Sequence, residues 1–167
     1  MKTKKLTVLA MLTALSLIIF IVEAQLPPLA PVPGIKLGLA NIVTLITIYM
    51  YGRKDAFCVL ALRIGLGAVF AGHMLSLIYS ISGGLLSYIV MALLNKLFDS
   101  KRVWVISILC AIAHNIGQII AAVAITHVQE ITWYLPALII SAIITGAFTG
   151  VVAMLILNNK NIRRYTE

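Results

Sequence analysis

The sequence predicts an all-α bundle of about six helices embedded in a lipid bilayer, and three observations lead to this prediction. Hydrophobic residues make up 62% of the 167 residues, charged residues make up 11%, and the mean hydropathy is +1.07. A soluble domain averages about 45–50% apolar and about 25% charged residues. Apolar runs near the roughly 20 residues that a membrane-crossing helix needs recur along the chain. Most Lys and Arg residues stand between these runs, so we expect an integral membrane protein with one domain over residues 1–167.

The breaks between the apolar runs define the predicted helices. The first run, 6–26, follows three lysines and is longer than the ~7–15 apolar residues of a signal peptide, so we expect it to remain as an anchor helix. A proline-rich elbow at 27–34 separates it from the second run, and turn-forming or charged residues end each later run. The predicted helices are 4–25, 36–51, 55–71, 74–97, 103–127 and 134–158.

The positions of the basic residues predict the orientation of the bundle. With six helices, all but two of them fall on one side of the membrane: Lys2, Lys4, Lys5, Arg53, Lys54, Lys96, Lys101, Arg102, Lys160, Arg163 and Arg164. Cytoplasmic loops are enriched in Lys and Arg, so both termini are expected in the cytoplasm. The net charge of +8 then fits an anionic membrane surface, and no nucleic-acid partner is expected.

Motifs for catalysis are absent from the sequence. Prenyl transfer would need paired aspartates that hold Mg²⁺ against a diphosphate, whereas Asp55 and Asp99 are isolated. The chain has no GxxxxGK[ST] loop for a nucleotide. Cys58 and Cys110 lie in apolar stretches without CxxC spacing, which favours small buried residues. We therefore expect no enzymatic activity, no cofactor, no metal and no disulfide.

Two basic residues interrupt the otherwise one-sided pattern. Lys36 stands at the predicted start of the second helix, with Gly34 and Gly38 beside it, where a cation can meet an anionic ligand. Arg63 should lie roughly 12 Å inside the membrane, counted from Asp55. An arginine at that depth serves either a ligand or a structural ion pair, for which Glu23 is the candidate partner.

A polar sector is predicted on the fifth helix. His114, Asn115 and Gln118 are three or four residues apart, so their side chains share one sector of the helix. Such a sector needs partners, either on neighbouring helices or on a ligand. We favour a ligand pocket. Ser76, Ser80, Gly84 and Ser87, like the Gly146 and Gly150 pair, instead indicate close packing of helices.

Three segments carry a resemblance to a known family: PGIKLGLANIVTL (33–45), SGGLLSYIVM (82–91) and AHNIGQ (113–118). Together they resemble the family called heptaprenyl diphosphate synthase component I, or Gx transporter proteins, over nearly the whole chain. That family is similar in turn to the substrate-binding S components of energy-coupling factor transporters, which are six-helix bundles. The resemblance implies a multi-pass protein of the bacterial cell membrane, with a coupling transmembrane subunit and ATPases as partners.

The resemblance also implies positions for contacts with the solute and the partner. Ala10 and Ala14 match the AxxxA motif with which the first helix of S components packs against the coupling subunit. The solute would bind near the outer face, below the loop between the first two helices. The candidate substrate-binding residues at that site are Lys36, Asn41, Arg63, His114, Asn115 and Gln118.

The sequence therefore predicts a transport subunit that binds a small anionic organic solute, such as a vitamin or a flavin, quinone or isoprenoid precursor. An alternative is a noncatalytic membrane partner of an enzyme of heptaprenyl diphosphate or menaquinone synthesis. A weaker alternative is a membrane prenyltransferase. Co-purifying subunits distinguish the first two possibilities, and magnesium-dependent product formation would be needed for the third.

Overall fold

The protein is all-α, as predicted. A computed structural model describes residues 2–26, 35–71, 74–99 and 102–159. Within these residues the helices are α1 (Lys2–Ala24), α2 (Asn41–Tyr51), α3 (Arg53–Ala71), α4 (Met74–Leu94), α5 (Val103–Thr126) and α6 (Leu135–Asn158). A 3-10 helix, Gln129–Tyr134, connects α5 to α6. The predicted proline-rich elbow lies outside the described residues.

Four of the described helices are long and apolar enough to cross a membrane: α1, α4, α5, and α6 with its preceding 3-10 helix. The expected set of about six membrane-crossing helices is not confirmed. Helix α2 has 11 residues and spans about 16 Å, roughly half of the hydrocarbon thickness. Helix α3 has 19 residues but includes Arg53, Lys54, Asp55 and Arg63.

The short helix α2 lies at the centre of the bundle, in contact with each of the other five helices. Seven of its 11 residues are buried. Leu45, Ile46 and Ile48 pack in one apolar cluster with residues of α4, α5 and α6, such as Met91 and Ile106. This central position brings the first residue of α2, Asn41, into contact range of several helices.

Helix α2 begins at Asn41, and the prediction that it begins at residue 36 was wrong. Residues 35–38 are not helical, and Gly38 has a φ of +82°, a left-handed conformation that interrupts a right-handed helix. The first backbone N–H groups of α2, at residues 41–43, donate to the carbonyls of residues 38–40. Lys36 therefore lies on a segment that precedes the helix and ends in a turn, residues 35–40, which we call the entry segment.

Glycines allow close packing between helices α4, α5 and α6, as predicted from the small residues. A Cβ at Gly117 of α5 would lie 2.7 Å from the Ser82 carbonyl oxygen of α4. A Cβ at Gly150 of α6 would lie 2.5 Å from Cα of Trp104 on α5. Backbones at such distances exclude any larger side chain, which explains why these contacts need glycine.

One end of the bundle collects basic side chains from α1 and α3. Lys5 forms a 2.7 Å ion pair with Asp55, and the Arg53 guanidinium donates to the Asn95 side-chain oxygen at 2.9 Å. These contacts place the start of α1, the start of α3 and the end of α4 together. The cysteines differ from expectation in one respect: Cys110 is buried, but Cys58 is exposed because it faces away from the bundle.

Candidate functional site

Charged and polar side chains from four helices and the entry segment meet inside the bundle. We call this group the polar cluster and define it as Phe20, Glu23, Lys36, Asn41, Arg63, His114 and Gln118. Arg63 lies about 15 Å along α3 from Arg53, and His114 lies about 17 Å along α5 from Val103. The polar cluster is therefore far from the basic end of the bundle.

The ammonium group of Lys36 lies over the aromatic ring of Phe20 on α1. The Lys36 Nζ atom lies 3.3 Å from the ring centroid, and the Arg63 Cζ atom lies 6.0 Å from it. A cation over an aromatic face is attracted by the ring quadrupole. Gly67 of α3 makes room for the ring, because a Cβ there would lie 2.8 Å from a ring carbon. The Phe20 ring thus lies near two cations, one on the entry segment and one on α3.

Arg63 is only 2% exposed and is tied to the start of α2. Its Nη2 atom donates to the Asn41 side-chain oxygen at 3.2 Å. Gly84 of α4 packs near the same nitrogen, since a Cβ at that position would lie 3.5 Å from it. The guanidinium is therefore enclosed between α2, α3 and α4.

Glu23 of α1 is the acidic member of the polar cluster and is 4% exposed. One of its carboxylate oxygens accepts the backbone N–H of Gly38 in the entry segment. Its charge acts on both Arg63 and Lys36, although within the described residues neither cation forms a direct ion pair with it. The expected pairing of Glu23 with Arg63 is therefore a proximity of charges and not a salt bridge.

A chain of hydrogen bonds joins the entry segment to α5. The backbone N–H of Lys36 donates to the Gln118 side-chain oxygen at 3.0 Å. The Gln118 side-chain nitrogen lies 2.8 Å from Nε2 of His114. A backbone N–H can only donate, so the amide oxygen faces Lys36 and the amide nitrogen donates to His114. Nε2 of His114 must then be an acceptor, which assigns a neutral ring with its proton on Nδ1.

The His114 ring is held between two glycines. A Cβ at Gly38 would lie 2.6 Å from Cδ2 of the ring, and a Cβ at Gly83 of α4 would lie 2.8 Å from Nδ1. The ring therefore has a glycine from the entry segment on one side and a glycine from α4 on the other. It has little room to shift in either direction.

Four donors of the polar cluster are buried without a hydrogen-bond partner in the described part of the chain: Lys36 Nζ, Arg63 Nε, Asn41 Nδ2 and, with its proton on Nδ1, His114. An unmet buried donor costs about 1–3 kcal/mol, and more when the donor is charged. An acceptor brought by a ligand would remove this cost. Four unmet donors, from the entry segment, α2, α3 and α5, could therefore be satisfied by the acceptors of a bound group.

Asn115 does not join this cluster. Its side-chain nitrogen donates to the Leu138 carbonyl of α6 at 2.8 Å, so the residue links α5 to α6. The structure thus separates two members of the predicted polar sector, His114 and Gln118, from the third. On α1, Ala10 and Ala14 are exposed on the surface of the bundle, where another helix could reach them.

A small cavity of about 10 Å³ lies beside Asn41 and Gly38, and its lining includes Ser107, Cys110 and Thr149. This volume holds about one water molecule. It does not hold an organic solute. Among the described residues, no group of three or more His, Cys, Asp or Glu side chains could hold a metal ion.

Sequence reasoning missed Phe20 and treated Glu23 only as an ion-pair partner. A signal for both was present on α1. Thr13, Ser16, Phe20 and Glu23 are spaced by three, four and three residues, and all four are buried. A stripe that mixes polar and aromatic residues at helical spacing marks the inward face of an otherwise apolar helix.

Comparison with known proteins gives one family. The family model for heptaprenyl diphosphate synthase component I matches residues 12–156. No curated protein and no solved structure matches the chain. The family predicted from residues 33–45, 82–91 and 113–118 is therefore confirmed, while the further similarity to S components stays a prediction.

Proposed function

We propose that this chain, which belongs to the heptaprenyl diphosphate synthase component I family, is a membrane subunit that binds a small anionic organic solute at the polar cluster. The observation that supports this proposal is the set of four buried donors without partners among the described residues, two of them on the cations Lys36 and Arg63. Removing two positive charges from water costs several kcal/mol unless something compensates them. Glu23 compensates one of the two.

The position of the site suits a solute that enters opposite the basic end of the bundle. The polar cluster adjoins the entry segment, which donates two backbone hydrogen bonds into it, from Lys36 to Gln118 and from Gly38 to Glu23. With both termini and the basic end in the cytoplasm, the cluster faces the outer half of the membrane. A solute bound there would be captured from outside the cell.

The proposed partners are a coupling transmembrane subunit and ATPases of the energy-coupling factor type. The chain has no P-loop of its own, so energy for uptake would come from another subunit. The exposed face of α1 that carries Ala10 and Ala14 is the proposed contact, because small residues let membrane helices approach closely.

The family description favours a second candidate, a noncatalytic membrane partner of a prenyl diphosphate synthase. A component named with a roman numeral implies further components, and Asp55 and Asp99 are too isolated to form a diphosphate site. In this case the same polar cluster would hold a precursor for the enzyme. Co-purification separates the two candidates: ATPases and a coupling subunit support uptake, and a prenyl synthase supports the alternative.

Native mass spectrometry of the gently purified protein tests binding, because it detects a bound molecule by mass alone and needs no chosen ligand. The wild-type protein should carry a small molecule, and Lys36→Met and Arg63→Met should each lower its retention by about 10- to 100-fold, the range for one charged hydrogen bond. Lys54→Met is the matched control, because Lys54 is exposed at the basic end. Equal retention in all three variants would reject the proposed roles of Lys36 and Arg63.

A further inference from the structure

We infer that Glu23 limits the ligand of the polar cluster to one negative charge, so that the solute is a monoanion of the carboxylate class and not a phosphate or diphosphate. This inference rests on the proposed function and makes its substrate class narrower. Glu23 is buried near both cations and, among the described residues, forms a salt bridge with neither. Its negative charge therefore offsets part of the positive charge of the site as a whole.

The net charge of the polar cluster follows from its hydrogen bonds. Arg63 is always protonated, and Lys36 places its ammonium group over the Phe20 ring, where a cation is favoured. His114 is neutral because its Nε2 atom accepts a hydrogen bond from Gln118. Burial disfavours the carboxylate form of Glu23, whereas the Gly38 backbone N–H and two nearby cations favour it. With Glu23 as the carboxylate, the cluster carries one net positive charge.

One net positive charge is matched by one negative charge on the ligand. A monoanion makes the buried site neutral and supplies acceptors to Lys36 and Arg63. A phosphate monoester carries close to two negative charges above its second pKa of about 6, so it would leave an uncompensated charge in a low-dielectric interior. A prenyl diphosphate carries still more charge. The carboxylate of Glu23 would thus exclude such ligands by repulsion.

The substitution Glu23→Gln removes the negative charge of the side chain and keeps its hydrogen bond with the Gly38 backbone N–H. A glutamine oxygen can still accept the Gly38 backbone N–H, so the entry segment should keep its position. The cluster would then carry two positive charges, which matches a dianion. Glu130→Gln is the control, because Glu130 is an exposed acidic residue on the 3-10 helix, outside the cluster.

The experiment measures binding of two probes that share one ring system, 2-naphthoate and 2-naphthyl phosphate, to the full chain in lipid nanodiscs at pH 7. Empty nanodiscs of the same lipid correct for partition into the bilayer. The wild-type protein and Glu130→Gln should bind 2-naphthoate at least about tenfold more tightly than 2-naphthyl phosphate. In Glu23→Gln the preference for 2-naphthoate over 2-naphthyl phosphate should fall by at least about tenfold, which corresponds to about 1.4 kcal/mol, or should reverse.

The outcomes separate this inference from the proposed function. Wild-type protein that binds 2-naphthyl phosphate as tightly as 2-naphthoate, or a preference that Glu23→Gln leaves unchanged, would overturn charge matching while Lys36 and Arg63 keep their roles. Binding of neither probe by the wild-type protein would overturn both the inference and the proposed function. Both would also be overturned if Lys36→Met and Arg63→Met bound 2-naphthoate as tightly as the wild-type protein.

Discussion

Gly38→Ala should damage both the fold and the binding site, because Gly38 is restricted by its backbone and by its surroundings. An L-residue at its φ of +82° costs about 1–2 kcal/mol. The new Cβ would also lie 2.6 Å from the His114 ring, which cannot retreat because Gly83 lies on its other side. Overpacking of this kind costs about 1–3 kcal/mol. The expected loss in the free energy of unfolding is about 2–5 kcal/mol in total.

Gly52→Ala is the matched control for this prediction. Gly52 also has a positive φ, +90°, but a Cβ there would have nothing within 4 Å. It should show the backbone cost alone and leave ligand retention unchanged. Unfolding in mixed detergent micelles, followed by circular dichroism, measures stability, and native mass spectrometry measures retention. If Gly38→Ala were as stable as Gly52→Ala and retained as much ligand, the packing of His114 against the entry segment would be refuted.

Two further predictions concern the neighbours of this site. Gly67→Ala should displace the Phe20 ring, lowering stability by about 1–3 kcal/mol and weakening 2-naphthoate binding, because its Cβ would lie 2.8 Å from a ring carbon. Gly65→Ala, with nothing within 4 Å of its Cβ, should be neutral or stabilising in the same assays. Gln118→Leu should cost about 1–3 kcal/mol, since it leaves a part-buried backbone N–H of the entry segment without this acceptor.

Each of these predictions has a contradicting result. Equal stability and equal binding in Gly67→Ala and Gly65→Ala would show that the ring position does not matter. For Gln118→Leu the comparison is Gln129→Leu, at an exposed position on the 3-10 helix. A Gln118→Leu protein as stable as that control would contradict the hydrogen-bond chain through α5.

The sequence was sufficient to predict the helices that depend on local apolar runs. The bounds of the predicted helices 103–127 and 134–158 agree with those of α5 and α6 to within one residue. The start of α2 could not be predicted in this way, because the entry segment is held by contacts that are distant in sequence. Its Gly38 N–H goes to Glu23, 15 residues earlier, and its Lys36 N–H goes to Gln118, 82 residues later.

The residues of the candidate site could likewise be predicted only in part from the sequence. Lys36 and Arg63 were identified because an unpaired charge in an apolar sequence is costly wherever it lies. Asn115 was grouped with His114 because helical spacing gives the sector that a side chain occupies but not the helix that it faces. The side-chain nitrogen of Asn115 donates to the backbone carbonyl of Leu138 on α6. Phe20 has no polar group, so its helical spacing from Ser16 and Glu23 indicates only that it faces inward, and its role follows from its distance to Lys36.

The most direct test of anion binding at the polar cluster is the position of a heavy-atom anion in a crystal of the wild-type protein. Anomalous scattering from the bromine of 6-bromo-2-naphthoate locates the probe without assumptions about its contacts. We expect a bromine peak inside the bundle, with the probe carboxylate about 3 Å from the Lys36 Nζ atom and from a guanidinium nitrogen of Arg63. A probe found only at the basic end beside Arg53 and Lys54, or no bromine peak at saturating probe, would contradict binding at the polar cluster.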